Sequence, residues 1–508
     1  MQGASGTLQR GRAPALRPGP AAVPRGGVLV SVRVETTAGP VVGRSADGVR
    51  SWRGVPYARA ERFGPARPVA SWVEPLDATR RGPVGVQHLP SGDLTGVEEC
   101  LTLDVYAPAE ADAPLPVLFW VHGGAFQTGA AADYDGSALA ATGPAVVVAV
   151  SYRLGPLGFL QLGTADDPEP SPAVTDLLAA LDWVRREVAG FGGDPDRFAL
   201  AGQSAGASLV CALLATPAGR RARAAVAFSI GGLPEEPAAA VDVAARVLAR
   251  LGVDRTDRAR LGELPVAAVL AAAREVAGRS RRERLGGVLF GPVVDGAVLP
   301  ERPVDAVARG DLRATPLWLG SCRDEMALFL QGGADGAAAV AHRRVGAAEF
   351  GRLLGVYTRT ARPGEDPLQA LLTDEMWVRP AWQLAEAQAA AGGRVWLSRF
   401  DHAPSLPPFD RLGPTHGADN ACLWAHPPRF VERPLLARPA AGMDPADLAV
   451  TAALHGSVLS VVRGGTPAAG VLDRWRPYQP GSRCVALLDA APRLVADPDA
   501  ERRRAWAG

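Results

Sequence analysis

The chain has 508 residues, 47% of them hydrophobic and 21% charged, with a formal net charge of +1. That composition builds a buried core, and the balanced charge excludes the basic footprint that nucleic acid or an anionic membrane surface attracts. Five cysteines, an odd number with no Cys-x-x-Cys spacing, exclude a disulfide framework and a cysteine zinc site and read as reduced thiols.

Residues 1–28 are rich in Gly, Pro, Ala and Arg and contain no apolar core of a secretory signal, so a disordered tail is expected there. Residues 29–508 are expected to form a single domain, because one central sheet with long insertions absorbs this length. No run reaches the ~20 apolar residues that span a bilayer. The resulting expectation is a cytoplasmic protein, a monomer or weak homo-oligomer, with no nucleic-acid or membrane partner.

Short Val-, Leu- and Phe-rich runs predict buried parallel strands at Val117–Val121, Ala145–Val150, Phe198–Ala201, Ala224–Ile230, Leu317–Gly320 and Val395–Phe400. Helical segments lie between them, as at Asp176–Val188, where Leu177, Leu181, Val184 and Val188 form one apolar face. Alternating strands and helices predict an α/β fold with a mostly parallel, doubly wound sheet. Glu235–Arg284 is Ala- and Arg-rich without strand runs, which predicts a helical insertion over the active edge.

Gly202-Gln203-Ser204-Ala205-Gly206 matches Gly-x-Ser-x-Gly. With 58 Gly and 19 Ser, chance alone supplies roughly 0.25 such matches, so the setting decides its meaning. Phe198–Ala201 reads as a strand and Ser208–Leu214 as the helix that follows, which makes Ser204 a nucleophile on a sharp strand-to-helix turn. A serine hydroxyl needs a base, itself oriented by a carboxylate, and in such a fold the order is Ser, acid, His. His416, in a Gly-flanked turn after the Val395–Phe400 strand, is the candidate base. Asp324 and Glu325 both follow the Leu317–Gly320 strand, and spacing does not choose between them. Backbone donors for an oxyanion are expected from Ala205, at the start of the helix, and from the Val121–Phe126 stretch.

Beyond these parts the sequence resembles the type-B carboxylesterase family from about Val34 to Trp506. The resemblance rests on Trp52–Ala58, Arg62-Phe63, Glu98–Tyr106, Ser151–Phe159, Phe191–Pro195, Asp324-Glu325-Met326, His416-Gly417, Trp475–Tyr478, Asp497-Pro498 and Trp506. It implies the α/β-hydrolase fold with helical insertions over the active site and a serine carboxylesterase acting on neutral esters. The implied triad is Ser204, Glu325 and His416, with Gly124, Ala125 and Ala205 as the oxyanion hole and no cofactor or metal. It further implies a structural ion pair between Arg62 and Glu98. Three departures stand out. Gln203 replaces the usual Glu, which disfavours choline-type esters, and Ala125 replaces a glycine. Cys100 matches a disulfide cysteine of secreted relatives whose partner is absent from Arg80–Gln87. An acyltransferase using the same triad, or a non-catalytic cholinesterase-like binding protein, are the alternatives.

Overall fold

The computed structural model describes residues 30–234, 236–283, 290–331, 338–339, 341–342, 345–424, 443–468 and 470–506. The tail expected at 1–28 and both end residues of the expected insertion, Glu235 and Arg284, lie outside the described residues.

One sheet is built from thirteen strands: β1 (Val30–Glu35), β2 (Pro40–Ala46), β3 (Val49–Pro56), β4 (Leu76–Asp77), β5 (Thr102–Pro108), β6 (Leu115–Val121), β7 (Val146–Val150), β8 (Gly193–Gln203), β9 (Ala224–Phe228), β10 (Leu317–Cys322), β11 (Val395–Phe400), β12 (Cys484–Leu488) and β13 (Arg493–Ala496). Their order is β1-β2-β3-β5-β7-β6-β8-β9-β10-β11-β12-β13, with β4 beside β2. Every ladder from β7 to β12 is parallel. The flanking ladders β1–β2, β2–β3, β3–β5, β5–β7 and β12–β13 are antiparallel. All six expected strands are present, and β8 runs further toward both ends than its apolar stretch indicates.

Side chains of a strand alternate between faces, and the two faces here feed two separate cores. Val117, Phe119 and Val121 of β6 enter one, and Leu118 and Trp120 enter the other. On the first face pack α1 (Pro172–Glu187) and α2 (Ala205–Leu214). Pro172 opens α1 four residues before the expected start, because a proline at the first turn loses no helical hydrogen bond. Between β9 and β10 comes the expected helical excursion: α3 (Pro237–Leu251), a short helix at Arg258–Glu263, and α4 (Val266–Glu283). The first face is completed by α5 (Arg379–Ala390), and the second is covered by α6 (Pro445–Gly464) with the short helix Ser137–Thr142.

Among the described residues α6 alone is long and apolar enough to cross a membrane. In the sequence Asp447, Thr451, His455, Ser457, Ser460 and Arg463 interrupt its apolar run. Its residues Val450, Leu454, Val458 and Val462 are buried in the second core, which accounts for the apolar composition. All five cysteines are free, and Gly85 is the residue that faces the Cys100 sulfur, where a methyl would sit 3.3 Å from Sγ. The Arg62–Glu98 pair expected from the resemblance forms, with Nε 2.7 Å from Oε2.

The chain leaves β6 for β7 on one side and returns to form β8 on the other side of β6. Such a reversal of strand order opens a crevice at the carboxyl ends of the two strands. The two ends approach so closely that a methyl on Gly206 would lie 2.0 Å from the Val121 carbonyl oxygen. Gly206→Ala should therefore destabilise the fold by about 2–3 kcal/mol. Urea unfolding of the purified variant checks this, and a midpoint equal to wild type would refute it.

Candidate active site

Strand β8 ends at Gln203 and α2 begins at Ala205, which leaves Ser204 alone on the corner. Its backbone takes φ 60° and ψ −128°, a region that side chains rarely enter and that costs about 1–3 kcal/mol. The surroundings enforce it: the Ser204 N–H donates to the Phe228 carbonyl at 2.9 Å, and its carbonyl accepts from the Ser208 N–H at 3.1 Å.

The corner lifts Oγ to 2.9 Å from His416 Nε2. On the far side of the ring, His416 Nδ1 lies 2.6 Å from Glu325 Oε2. The second oxygen, Glu325 Oε1, accepts from the Cys322 N–H at 2.7 Å, so β10 itself anchors the carboxylate. A carboxylate only accepts, so Nδ1 carries the proton and Nε2 is free to take one from Ser204. Glu325 is fully buried, and Ser204 and His416 are nearly so. Asp324, the residue that spacing leaves level with Glu325, turns away and pairs with Arg323 at 2.9 Å.

Thr415 braces the histidine turn against the carboxylate turn. Its hydroxyl donates to the Glu325 carbonyl at 3.2 Å and accepts from the Leu328 N–H at 2.8 Å. After β6, Gly124, Ala125 and Phe126 all have positive φ, 119°, 54° and 59°. Ala125 thus adopts the conformation that its replacement of a glycine made costly. The turn is closed by the Gln127 and Thr128 N–H groups, both 3.0 Å from the Gly124 carbonyl. Among the described residues, the N–H groups of Gly124, Ala125 and Ala205 donate to no protein acceptor. Donors of this kind, on segments leaving the adjacent strands β6 and β8, suit a developing oxyanion.

The other described histidines bond or stack with other groups. His122 stacks on Tyr152 with ring centroids 4.4 Å apart, and burial pulls its pKa down to about 4, so it stays neutral. His88, His402 and His455 bond to Gly92, Asp447 and Leu423, and His342 meets the Phe350 ring edge-on. His426 lies outside the described residues.

Three neighbours of the site escape sequence reasoning. Asn420 donates to Gln203 Oε1 at 3.1 Å, which turns the Gln203 amide nitrogen toward His416 Nε2 at 3.4 Å. Trp377 lies with its ring 4.2 Å from the His416 ring, on a π-helical turn at Asp374–Val378. Phe329 lies 5.2 Å from the same ring. Room for Trp377 depends on Gly231, where a methyl would come within 2.1 Å of the indole. No local spacing ties Trp377 or Phe329 to the histidine, whereas Asn420 sits four residues beyond His416, in the short helix Ala418–Leu423.

The family model described as "Carboxylesterase family" matches residues 30–506. The para-nitrobenzyl esterase of Bacillus subtilis is 32% identical over 493 residues, covering 93% of this chain and 97% of that one. The phenmedipham hydrolase of Pseudarthrobacter oxydans is 30% identical over 482 residues, covering 89% and 94%. A crystal structure of a Geobacillus stearothermophilus carboxylesterase superposes with a TM-score of 0.80 at 32% identity, covering 93% of this chain and 99% of that one.

One buried acid beside the site has a strongly displaced ionisation. The Asp419 pKa is pushed up to about 7, first by burial and then by the negative charge of Glu325, with His416 opposing. A raised acid pKa means that the folded state holds the proton while the unfolded chain loses it near pH 4. Stability is then lost as pH rises from about 4 to about 7, by on the order of 2–3 kcal/mol between pH 5 and pH 7. Asp419→Asn, which cannot ionise, should melt above wild type at pH 8 and by a smaller margin at pH 5. Equal margins at both pH values in thermal unfolding would refute this.

Proposed function

Because the chain belongs to the carboxylesterase family and is a carboxylic-ester hydrolase, we propose that Ser204 is its nucleophile, His416 its general base and acid, and Glu325 the carboxylate that orients the base. The observation that carries this reading is the unbroken series from Ser204 Oγ through the imidazole to Glu325, at 2.9 Å and 2.6 Å. Ser204 attacks the ester carbonyl as His416 Nε2 removes its proton. The charge that builds on the carbonyl oxygen is met by the N–H groups of Gly124, Ala125 and Ala205, and Glu325 stabilises the imidazolium. His416 then protonates the departing alcohol. Water, deprotonated by the same nitrogen, hydrolyses the acyl-enzyme.

Substrates are small-molecule esters, and in this reading their reacting groups are uncharged. The amide of Gln203 stands beside Ser204 and His416, where a carboxylate would add negative potential and favour a cationic alcohol. Residues 29–508 act as one catalytic domain, a reading supported by the way both ends of the described chain add strands to the same sheet. A cytoplasmic address is supported by the five free thiols, and a monomer or weak homo-oligomer without nucleic-acid or membrane partners by the balanced charge.

Ser204→Ala should cut kcat on p-nitrophenyl butyrate by about a thousandfold or more while leaving the melting temperature at or above that of wild type. Wild-type turnover in the variant would refute the nucleophile. Butyrylcholine and its uncharged isostere 3,3-dimethylbutyl butyrate test the substrate reading. The isostere should have the higher kcat/KM, and a preference for the cation would contradict the role given to Gln203.

A further inference from the structure

Beside the turn that carries the Gly124 and Ala125 donors lies a cavity of about 340 Å³, within the size range of small-molecule sites. Three elements meet around it: the loop that bears Gln87 and His88, the turn at Gln127-Thr128, and helix α4. Its apolar wall includes Leu154, Leu270 and Phe290. The neighbouring Gly291 would place a methyl 3.7 Å from the ring of Phe126, the residue next to Ala125, so this wall abuts the oxyanion segment.

The polar part of the lining has unused hydrogen-bonding capacity. Arg274 gives one long bond, 3.3 Å, to the Gly92 carbonyl, and no carboxylate among the described residues lies within 4.0 Å of its guanidinium. The adjacent Glu275 is taken up by Arg250. The Gln127 side-chain amide makes no hydrogen bond to the described residues. His88 places Nδ1 3.0 Å from the Gly92 carbonyl, which fixes Nδ1 as a donor, and leaves Nε2 buried without a partner. Among the described residues, no Asp or Glu lines the space. A guanidinium fork with adjacent N–H donors and an apolar wall is the chemistry that binds a carboxylate at the end of a hydrocarbon or aryl group.

We propose that this cavity is an anion subsite, which selects esters carrying a carboxylate on the acyl or the alcohol part, remote from the bond cleaved. The proposal rests on the assignment of Ser204, since the subsite is useful only beside that nucleophile. It is compatible with Gln203: a neutral amide beside Ser204 and His416, with the Arg274 guanidinium further out, favours an anionic over a cationic substituent.

Paired substrates of equal length test it in the wild-type protein and in Arg274→Ala, Arg274→Glu and Arg274→Lys. The acyl pair is mono-p-nitrophenyl adipate against p-nitrophenyl hexanoate. The alcohol pair is 3-carboxyphenyl butyrate against phenyl butyrate. The quantity read is the ratio of kcat/KM for the anionic ester to that for its neutral partner. In at least one pair this ratio should fall about threefold in Arg274→Ala and about tenfold in Arg274→Glu, chiefly through KM, as expected for an exposed charge. Arg274→Lys should keep most of it, and 0.5 M salt should shrink the difference. The pair that responds identifies the side of the ester that the cavity receives. Ratios within twofold of wild type in both pairs and in all variants, with the neutral esters still turned over, would overturn the subsite alone. A wild-type protein that turns over none of the four esters would overturn the assignment of Ser204 instead.

Discussion

The close approach of β6 and β8 at their carboxyl ends governs the rest of the site. Gly206 can lie against the Val121 carbonyl only because it has no side chain, and that contact lets the chain turn from strand to helix within a single residue. The same turn forces Ser204 into its strained backbone angles, raises Oγ toward His416, and puts the first free N–H of α2 beside the segment that leaves β6. Strain at Ser204 and the free N–H groups beside it are therefore two results of one packing constraint. The parallel strands on either side, buried on both faces, supply the rigidity that keeps the corner from relaxing.

Around that corner the site sorts its charges by burial. Glu325 is stripped of water, and the Cys322 N–H and the imidazole take its two oxygens. Asp419, buried close by, accepts from the Asn420 N–H, yet burial, and after it the charge of Glu325, pushes its pKa up to about 7. His122, equally buried but without a carboxylate, is kept neutral. Among the described histidines, His416 alone combines a carboxylate on one nitrogen with a hydroxyl on the other. Position in the fold, more than residue type, separates it from the rest.

Much of this was legible in the sequence, for physical reasons that differ between parts. The central strands announced themselves because a strand covered on both faces must be apolar throughout, as Val117–Val121 and Val146–Val150 are. Strands β1–β3 are diluted by Arg, Ser or Gly and partly exposed, and β12 and β13 are only five and four residues long, so they were missed. Ser204 was legible because the corner tolerates so few residue types. Glu325 was not separable from Asp324 by spacing: what divides them is which side of a single turn faces the histidine, and only the family resemblance carried that information beforehand. Trp377 and Phe329 could not be found at all, since a π-helical turn and the absence of a side chain at Gly231 bring an indole from a distant helix to the imidazole.

The central claim is that one strained serine, activated by His416 and Glu325, forms a covalent acyl intermediate. Intact-mass and peptide mapping after brief exposure to an alkyl fluorophosphonate tests it most directly, because that reagent reports the activated hydroxyl itself. The account predicts a single adduct on the peptide that contains Ser204, formed quickly in the wild-type protein and much more slowly in Glu325→Gln. An adduct on another residue, or equal labelling rates in the two proteins, would contradict it.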